Sequence, residues 1–208
     1  TPSILGLALI DRMRERYPDI RLHLVEMLSG YLMNQLNARH LDLAVLFQAE
    51  TGPRLEVRGL LTERLFVLVP APLVKDGWGE SLTLQQIATL PLVMPSTQHG
   101  LRTTLRSIFE RAGLEASIVM EVDGLSLLMD CVCAGHAATI QPGATVARAH
   151  QAGLRVFAID EAQAQRRNVI VSLTDDELSP AALATRIVLQ EVARDLVEQG
   201  RWPGARLL

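Results

Sequence analysis

Near the start of the chain, apolar residues recur at Ile4, Leu7, Ala8 and Met13, with Asp11, Arg12 and Glu15 between them. That spacing predicts an amphipathic helix over Ser3–Arg16, with Ser3 as its N-cap and Tyr17-Pro18-Asp19 as its stop. Ile20 to Glu26 then alternates apolar and polar side chains, the pattern of a strand with one wetter face. Ser29 opens a second helix over Tyr31–Ala38. Leu41 to Leu46 is a short, nearly continuous apolar run, which predicts a parallel strand covered on both faces.

The same alternation continues downstream. Strands are predicted at Glu56–Leu61, Glu63–Val69, Leu92–Met94, Ser117–Val122, Ala137–Ile140, Leu154–Ile159 and Asn168–Leu173. Helices are predicted at Thr83–Thr89, Gly100–Ala112, Leu125–Ala134, Pro142–Ala149 and Pro180–Gln199. Helix and strand alternating at this spacing predict an α/β fold of the doubly wound kind. The rhythm runs twice, with a proline-marked seam near Val69-Pro70 and a second between Asn168 and Ser172.

Composition narrows the function classes. Of 208 residues, 49% are hydrophobic and 21% charged, an ordinary soluble balance, but only 4% are aromatic. Aliphatic packing therefore carries the core, and a stacking platform for single-stranded nucleic acid is disfavoured. The formal net charge is −3 without any basic run, so the chain lacks the footprint of a duplex-binding surface. The first residues show no basic–apolar leader, and no stretch approaches the roughly 18 apolar residues of a membrane span. These features favour the cytoplasm.

Chemistry-bearing constellations are sparse. There is no G-x-S-x-G, H-E-x-x-H, G-x-x-x-x-G-K-[ST] or G-x-G-x-x-G. Asp175-Asp176-Glu177 reads as a solvated helix entry. Cys131 and Cys133 read as small buried core residues, since no His or acidic pair completes a metal set. Leu125, Leu127, Leu128 and Met129 read as core. No enzyme, cofactor or metal is expected on these grounds.

Helix N-termini attract anions through free N–H groups and the helix dipole. Ser3, Ser29 and the Ser96–Gly100 turn all precede predicted helices, although each hydroxyl is equally a simple cap. His99 beside Gly100 is a titratable donor suited to a carboxylate. Arg102 falls in a first helical turn, where the dipole disfavours a cation, so an ion pair or a ligand contact is expected. Gln141 before Pro142 serves either a turn or a ligand.

Several segments in order resemble one family. Tyr17-Pro18-Asp19-Ile20 is similar to the strand entry of LysR-type transcriptional regulators, and Ser29-Gly30, Leu36 and Leu41-Asp42-Leu43-Ala44 to their next stretch. Pro95-Ser96-Thr97-Gln98-His99-Gly100-Leu101-Arg102 resembles the turn of one subgroup. Glu121-Val122-Asp123, Ala134-Gly135-His136-Ala137-Ala138-Thr139-Ile140-Gln141-Pro142 and Gly200-Arg201-Trp202 follow in register. Ala137 and Gln141 depart from the family's usual glycine and aliphatic residue.

The resemblance implies an effector-binding domain of two Rossmann-like lobes joined by two crossover strands, like type 2 periplasmic binding proteins. Lobe I would hold residues 1–69 plus 172–208, and lobe II residues 70–171. A small-molecule effector, a carboxylate or other small anion, would sit in the interlobe cleft against Ser3, Ser29, Ser96, His99, Gly100, Arg102 and Gln141.

Homodimers or homotetramers are implied, with promoter DNA contacted only through an N-terminal domain absent from this sequence, and no membrane. Thr1-Pro2-Ser3 corresponds to the turn after the family's first strand, so that strand is expected to be missing here. Leu5, Leu9 and Ile10 on the first helix, and Leu101, Leu105 and Ile108 on the Gly100–Ala112 helix, widen the apolar arcs beyond one buried face. An intersubunit surface is expected there. The alternatives are a periplasmic solute-binding protein, marked by a leader upstream, and an enzyme such as a dehydratase, which needs a base paired with His99.

Overall fold

The computed structural model describes residues 1–27, 29–47, 55–97 and 100–208. In chain order these form α1 (Pro2–Arg16), α2 (Ser29–Asn37), β1 (Leu43–Phe47), β2 (Leu55–Val69), β3 (Ser81–Leu82), α3 (Leu84–Ala88) and β4 (Leu92–Met94). There follow α4 (Gly100–Arg111), β5 (Ile118–Glu121), α5 (Leu125–Cys133), β6 (Thr139–Pro142) and α6 (Val146–Gln151). The chain then forms β7 (Arg155–Ile159), β8 (Gln165–Leu173), α7 (Pro180–Glu198) and β9 (Ala205–Leu207). It divides into two compact units, Thr1–Glu63 with Arg167–Leu208, and Arg64–Arg166. The junctions therefore fall inside β2 and β8, ahead of the seams expected after Val69 and Val171.

In unit 1, β8 neighbours β2 and pairs antiparallel with β1, from Leu43↔Ser172 to Phe47↔Asn168. The parallel partner expected for the Leu41–Leu46 strand is not what this ladder supplies. β9 adds antiparallel to β2 from Leu61↔Leu207 to Glu63↔Ala205. Leu36 of α2 packs on Ala44, Leu46, Val169 and Val171. α1 packs against α7, burying Leu5, Leu9 and Met13. Arg12–Asp195 at 3.0 Å and Arg16–Glu191 at 2.7 Å edge the contact between these helices.

Unit 2 has apolar residues on both faces of its strands. Leu65, Val67 and Val69 of β2 join a cluster with α3 and α4, whereas Leu68, with Phe66 packed beside it, joins a second cluster with α5 and α6. β4 divides the same way, Leu92 and Met94 to the first and Val93 to the second. Covered faces on both sides are why these strands read as unbroken apolar runs. β6 and β7 pair antiparallel with β2, β3 runs parallel to β7, and β4 and β5 form a parallel pair.

Several expectations are corrected. Ile20–Glu26 forms no strand: alternation supplies a face, but a strand also needs a ladder partner, and no described strand pairs with it. The two strands expected over Glu56–Val69 are one, β2. Ser3 is not the N-cap of α1; Pro2 occupies the first turn, where its missing N–H costs nothing, and Thr1 takes the cap position.

Helix α5 turns Val132, Leu128 and Met129 inward, so Leu127 is 59% exposed, Leu125 half-buried, Cys131 half-buried and Cys133 exposed. Residues two apart on a helix cannot share a face. Leu5, Leu9, Leu101, Leu105 and Ile108 are all buried in their own units and offer no exposed stripe, while Ile10 is half-buried.

Candidate functional site

Of the described residues singled out in unit 2, Ser96, Gly100 and Arg102 follow the carboxyl end of β4, and Gln141 lies on the neighbouring strand β6. Val122 N–H donates to Met94 O at 2.9 Å, which brings the end of β5 alongside. The next residue, Asp123, accepts the Ser96 backbone N–H on Oδ1 at 2.8 Å. Ser96, half-buried, thus begins the turn between β4 and α4 with its main chain already fixed by a carboxylate. Gly100 is the first residue of α4 and Arg102 lies in its first turn. His99 and Gln98 lie outside the described residues.

Gln141 is not a turn residue. It sits within β6, 5% exposed, and its Nε2 donates to Thr139 Oγ1 at 3.1 Å. Thr139 Oγ1 in turn lies 4.0 Å from Met94 Sδ. Two residues apart on a strand, Thr139 and Gln141 share a face, opposite to that of the core residue Ile140. The chain Gln141–Thr139–Met94 places this polar pair at the same strand ends as Ser96 and Asp123. A buried amide held by a threonine hydroxyl is a rigid, neutral hydrogen-bonding edge.

Arg102 is mostly buried, with Nη2 3.8 Å from Glu121 Oε1 and with Nε buried and lacking a hydrogen-bond partner. The expected ion pair is present but long. Arg102 also lines a groove of about 220 Å³, together with Met94, Leu105, Arg106, Ile118 and Ile140.

Ser3 and Ser29 belong to unit 1. Ser3 is exposed in the first turn of α1, and Ser29, half-buried, is the first residue of α2. Sequence reasoning missed Asp123 and Thr139 as participants. Asp123 stood within a recognisable stretch, but only the fold brings it to Ser96. Among the described residues no group of three His, Cys, Asp or Glu side chains is placed to hold a metal. No helix among them is long and apolar enough to cross a membrane.

The carboxyl end of a strand, at the start of a helix in an α/β layer, is where open α/β sheets bind ligands. Residues 3–194 match the family model described as the LysR substrate binding domain. The chain belongs to that family. It is similar to the HTH-type transcriptional regulator BbuR of Bordetella bronchiseptica, 27% identical over 204 residues covering 97% of this chain. It spans 62% of that regulator's own length.

Its fold matches the effector-binding domain of QuiR in complex with shikimate, with TM-score 0.80 and 20% identity over 91% of this chain and 90% of that one. It matches equally the regulatory domain of CcmR from Synechocystis PCC6803 in complex with 2-PG, with TM-score 0.81 and 16% identity over 94% of each chain. As a member of this family the chain has the α/β fold expected from its pattern of helices and strands, in the effector-domain form that its resemblance implied.

Proposed function

We propose that this chain is the sensory region of a cytoplasmic transcriptional regulator, binding a small carboxylate or other small anion and performing no catalysis. The observation that carries this reading is the polar rim at the carboxyl end of β4. There Asp123 holds the Ser96 main chain ahead of α4, and the neighbouring strand β6 carries the buried Gln141–Thr139 pair.

We assign the effector contacts to Ser3, Ser29, Ser96, His99, Gly100, Arg102 and Gln141, as the family resemblance implies. Arg102, whose Nε lacks a partner and whose ion pair is long, supplies the cation for an anionic effector. Asp123 shares the turn and opposes an anionic effector there, a repulsion that the Arg102 cation offsets. Shikimate, which the QuiR domain binds, is itself a carboxylate.

Promoter DNA would be contacted only through a separate N-terminal domain, and the regulator would act as a homodimer or homotetramer. The net charge of −3 supports the first statement, and kinship with HTH-type regulators supports both. That kinship also favours the regulator over a periplasmic solute-binding protein.

The test is a calorimetric titration of wild type and Ser96→Ala with small carboxylates, beginning with shikimate. Loss of one hydroxyl bond to a charged ligand lowers affinity by about 1.5–3 kcal/mol. Unchanged affinity in the folded variant removes Ser96 from the site. A screen in which no small anion raises the melting temperature removes the effector class.

A further inference from the structure

Trp202 is fully buried, in the short segment that follows α7. Its indole N–H donates to Glu63 Oε2 at 2.9 Å. Glu63 is wholly buried, and its Oε1 accepts from Asn168 Nδ2 at 2.8 Å. Asn168 is wholly buried too, and its Oδ1 has no hydrogen-bond partner. Beyond Trp202 the chain turns through Gly204, φ 68°, and lays β9 on β2 from Leu61 to Glu63. Gly59 completes the seat: a Cβ there would stand 3.0 Å from Leu208 Cδ1 and 3.1 Å from Arg167 Nη2.

These contacts converge on one place in the chain. Glu63 is the last residue of unit 1 on β2, and Arg167 and Asn168 are the first on β8. β2 is therefore held directly by the segment after α7, and β8 through the Asn168–Glu63 bond, both on the unit 1 side of their junctions. A sharp bend in a paired strand disrupts its ladder locally, so pairing resists it. Removing the segment would also strip a buried carboxylate of a donor, which low-dielectric surroundings make costly.

We propose that residues 200–208 form a brace on the hinge, with Glu63 as its pin. Docked, the brace stiffens both crossover strands up to Glu63 and Arg167 and confines bending to Arg64–Leu65 and Gln165–Arg166. Docking of the segment and flexing between the units are then one equilibrium. This device is independent of which effector binds, and its test uses none.

Spin labels at Arg14→Cys on α1 and Arg111→Cys on α4, in a Cys131→Ser, Cys133→Ser background, report the distance distribution between the units. Hydrogen exchange is read on the unlabelled protein. Trp202→Phe keeps the ring but removes the donor, and Gly59→Ala crowds Leu208 without touching Glu63.

Both variants are expected to broaden the distance distribution. Exchange should rise by about tenfold at residues 61–63 and 205–207, with β4 and α4 unchanged, as a local opening requires. Glu63→Gln should do the same if it folds; the other two variants carry the test if it does not. An unchanged distribution in both variants overturns the brace. So does exchange that rises evenly through unit 1, since that marks ordinary core contacts.

Discussion

In unit 2 the strands bury aliphatic side chains on both faces, and the neutral groups Thr139, Gln141 and Thr145 are its buried polar residues away from the junction. In unit 1 the layer of β1, β8 and β2 buries Glu63, Asn168 and Ser172, and α7 buries Arg186 against it. Arg186 reaches Asp175 at 2.6 Å and Glu56 at 3.3 Å, and Arg58 contacts the same two carboxylates. The difference teaches that the two units use different means of holding their strands. Apolar burial is nondirectional and forgiving of small shifts, whereas a polar network depends on directed bonds, and here Asn168 Oδ1 and Arg186 Nε are left without a partner. Unit 2 therefore tolerates small shifts beneath the strand-end rim, while unit 1 ties its geometry to a few directed bonds near the junctions.

The largest expected effect breaks the apolar side of this comparison. Leu105→Glu places a charge inside the cluster of α3, α4 and the sheet, and should cost more than about 4 kcal/mol, unfolding unit 2. Urea denaturation followed by circular dichroism checks it. A variant with a wild-type midpoint would mean that the apolar face of α4 is not core. The same substitution cannot serve as a probe of self-association, because the residue is buried within its own unit.

A middle-sized effect sharpens the comparison. Ser179 caps α7, accepting the Ala182 N–H at 3.1 Å, and Thr83 caps α3 in a reciprocal box with Gln86. Each change to Ala should cost about 1 kcal/mol. The distribution should differ, because α7 has 19 residues packed along α1 and α3 has 5. Hydrogen exchange should rise across α1 and α7 in Ser179→Ala, but only around α3 in Thr83→Ala. Equal spreading in both would erase the distinction.

The smallest effect concerns acid. The hydrogen bond from Arg186 holds the Asp175 carboxyl below its ordinary range, helped by the charges of Arg186 and Arg58, while partial loss of solvent opposes the shift. A depressed folded pKa gives stability that is present above the unfolded value, about 4, and lost as pH falls through the folded value. Asp175→Asn should therefore flatten the acid limb of the urea midpoint, with the two curves converging at low pH. Because Asp175 is exposed, salt should shrink the difference. Parallel curves at all pH values would remove this ion pair from the account.

Much of the fold was legible along the chain. β4 runs over Leu92–Met94 as its apolar run predicts, and α4 and α7 match their predicted spans to within a residue. Those features rest on local periodicity and caps, which need no partner. The short strands β3 and β9 carried no such signal, and Ile20–Glu26 carried one without a ladder to realise it. For the candidate site, Ser96, Gly100 and Arg102 were legible because a turn entering a helix has a local signature. Asp123 and Thr139 were not, because contact across strands leaves no mark in spacing.

The sequence by itself determined the alternation of helix and strand, the double rhythm, and a core built on aliphatic side chains, since these depend on the order of polar and apolar residues. The tertiary structure decided which of several apolar residues on one helix faces inward, Val132 rather than Leu127, because that depends on what packs against it. It also decided that Trp202 meets Glu63, 139 residues earlier in the chain. Burying a carboxylate is tolerable only where a donor is delivered to it, and only the closed fold brings that donor there.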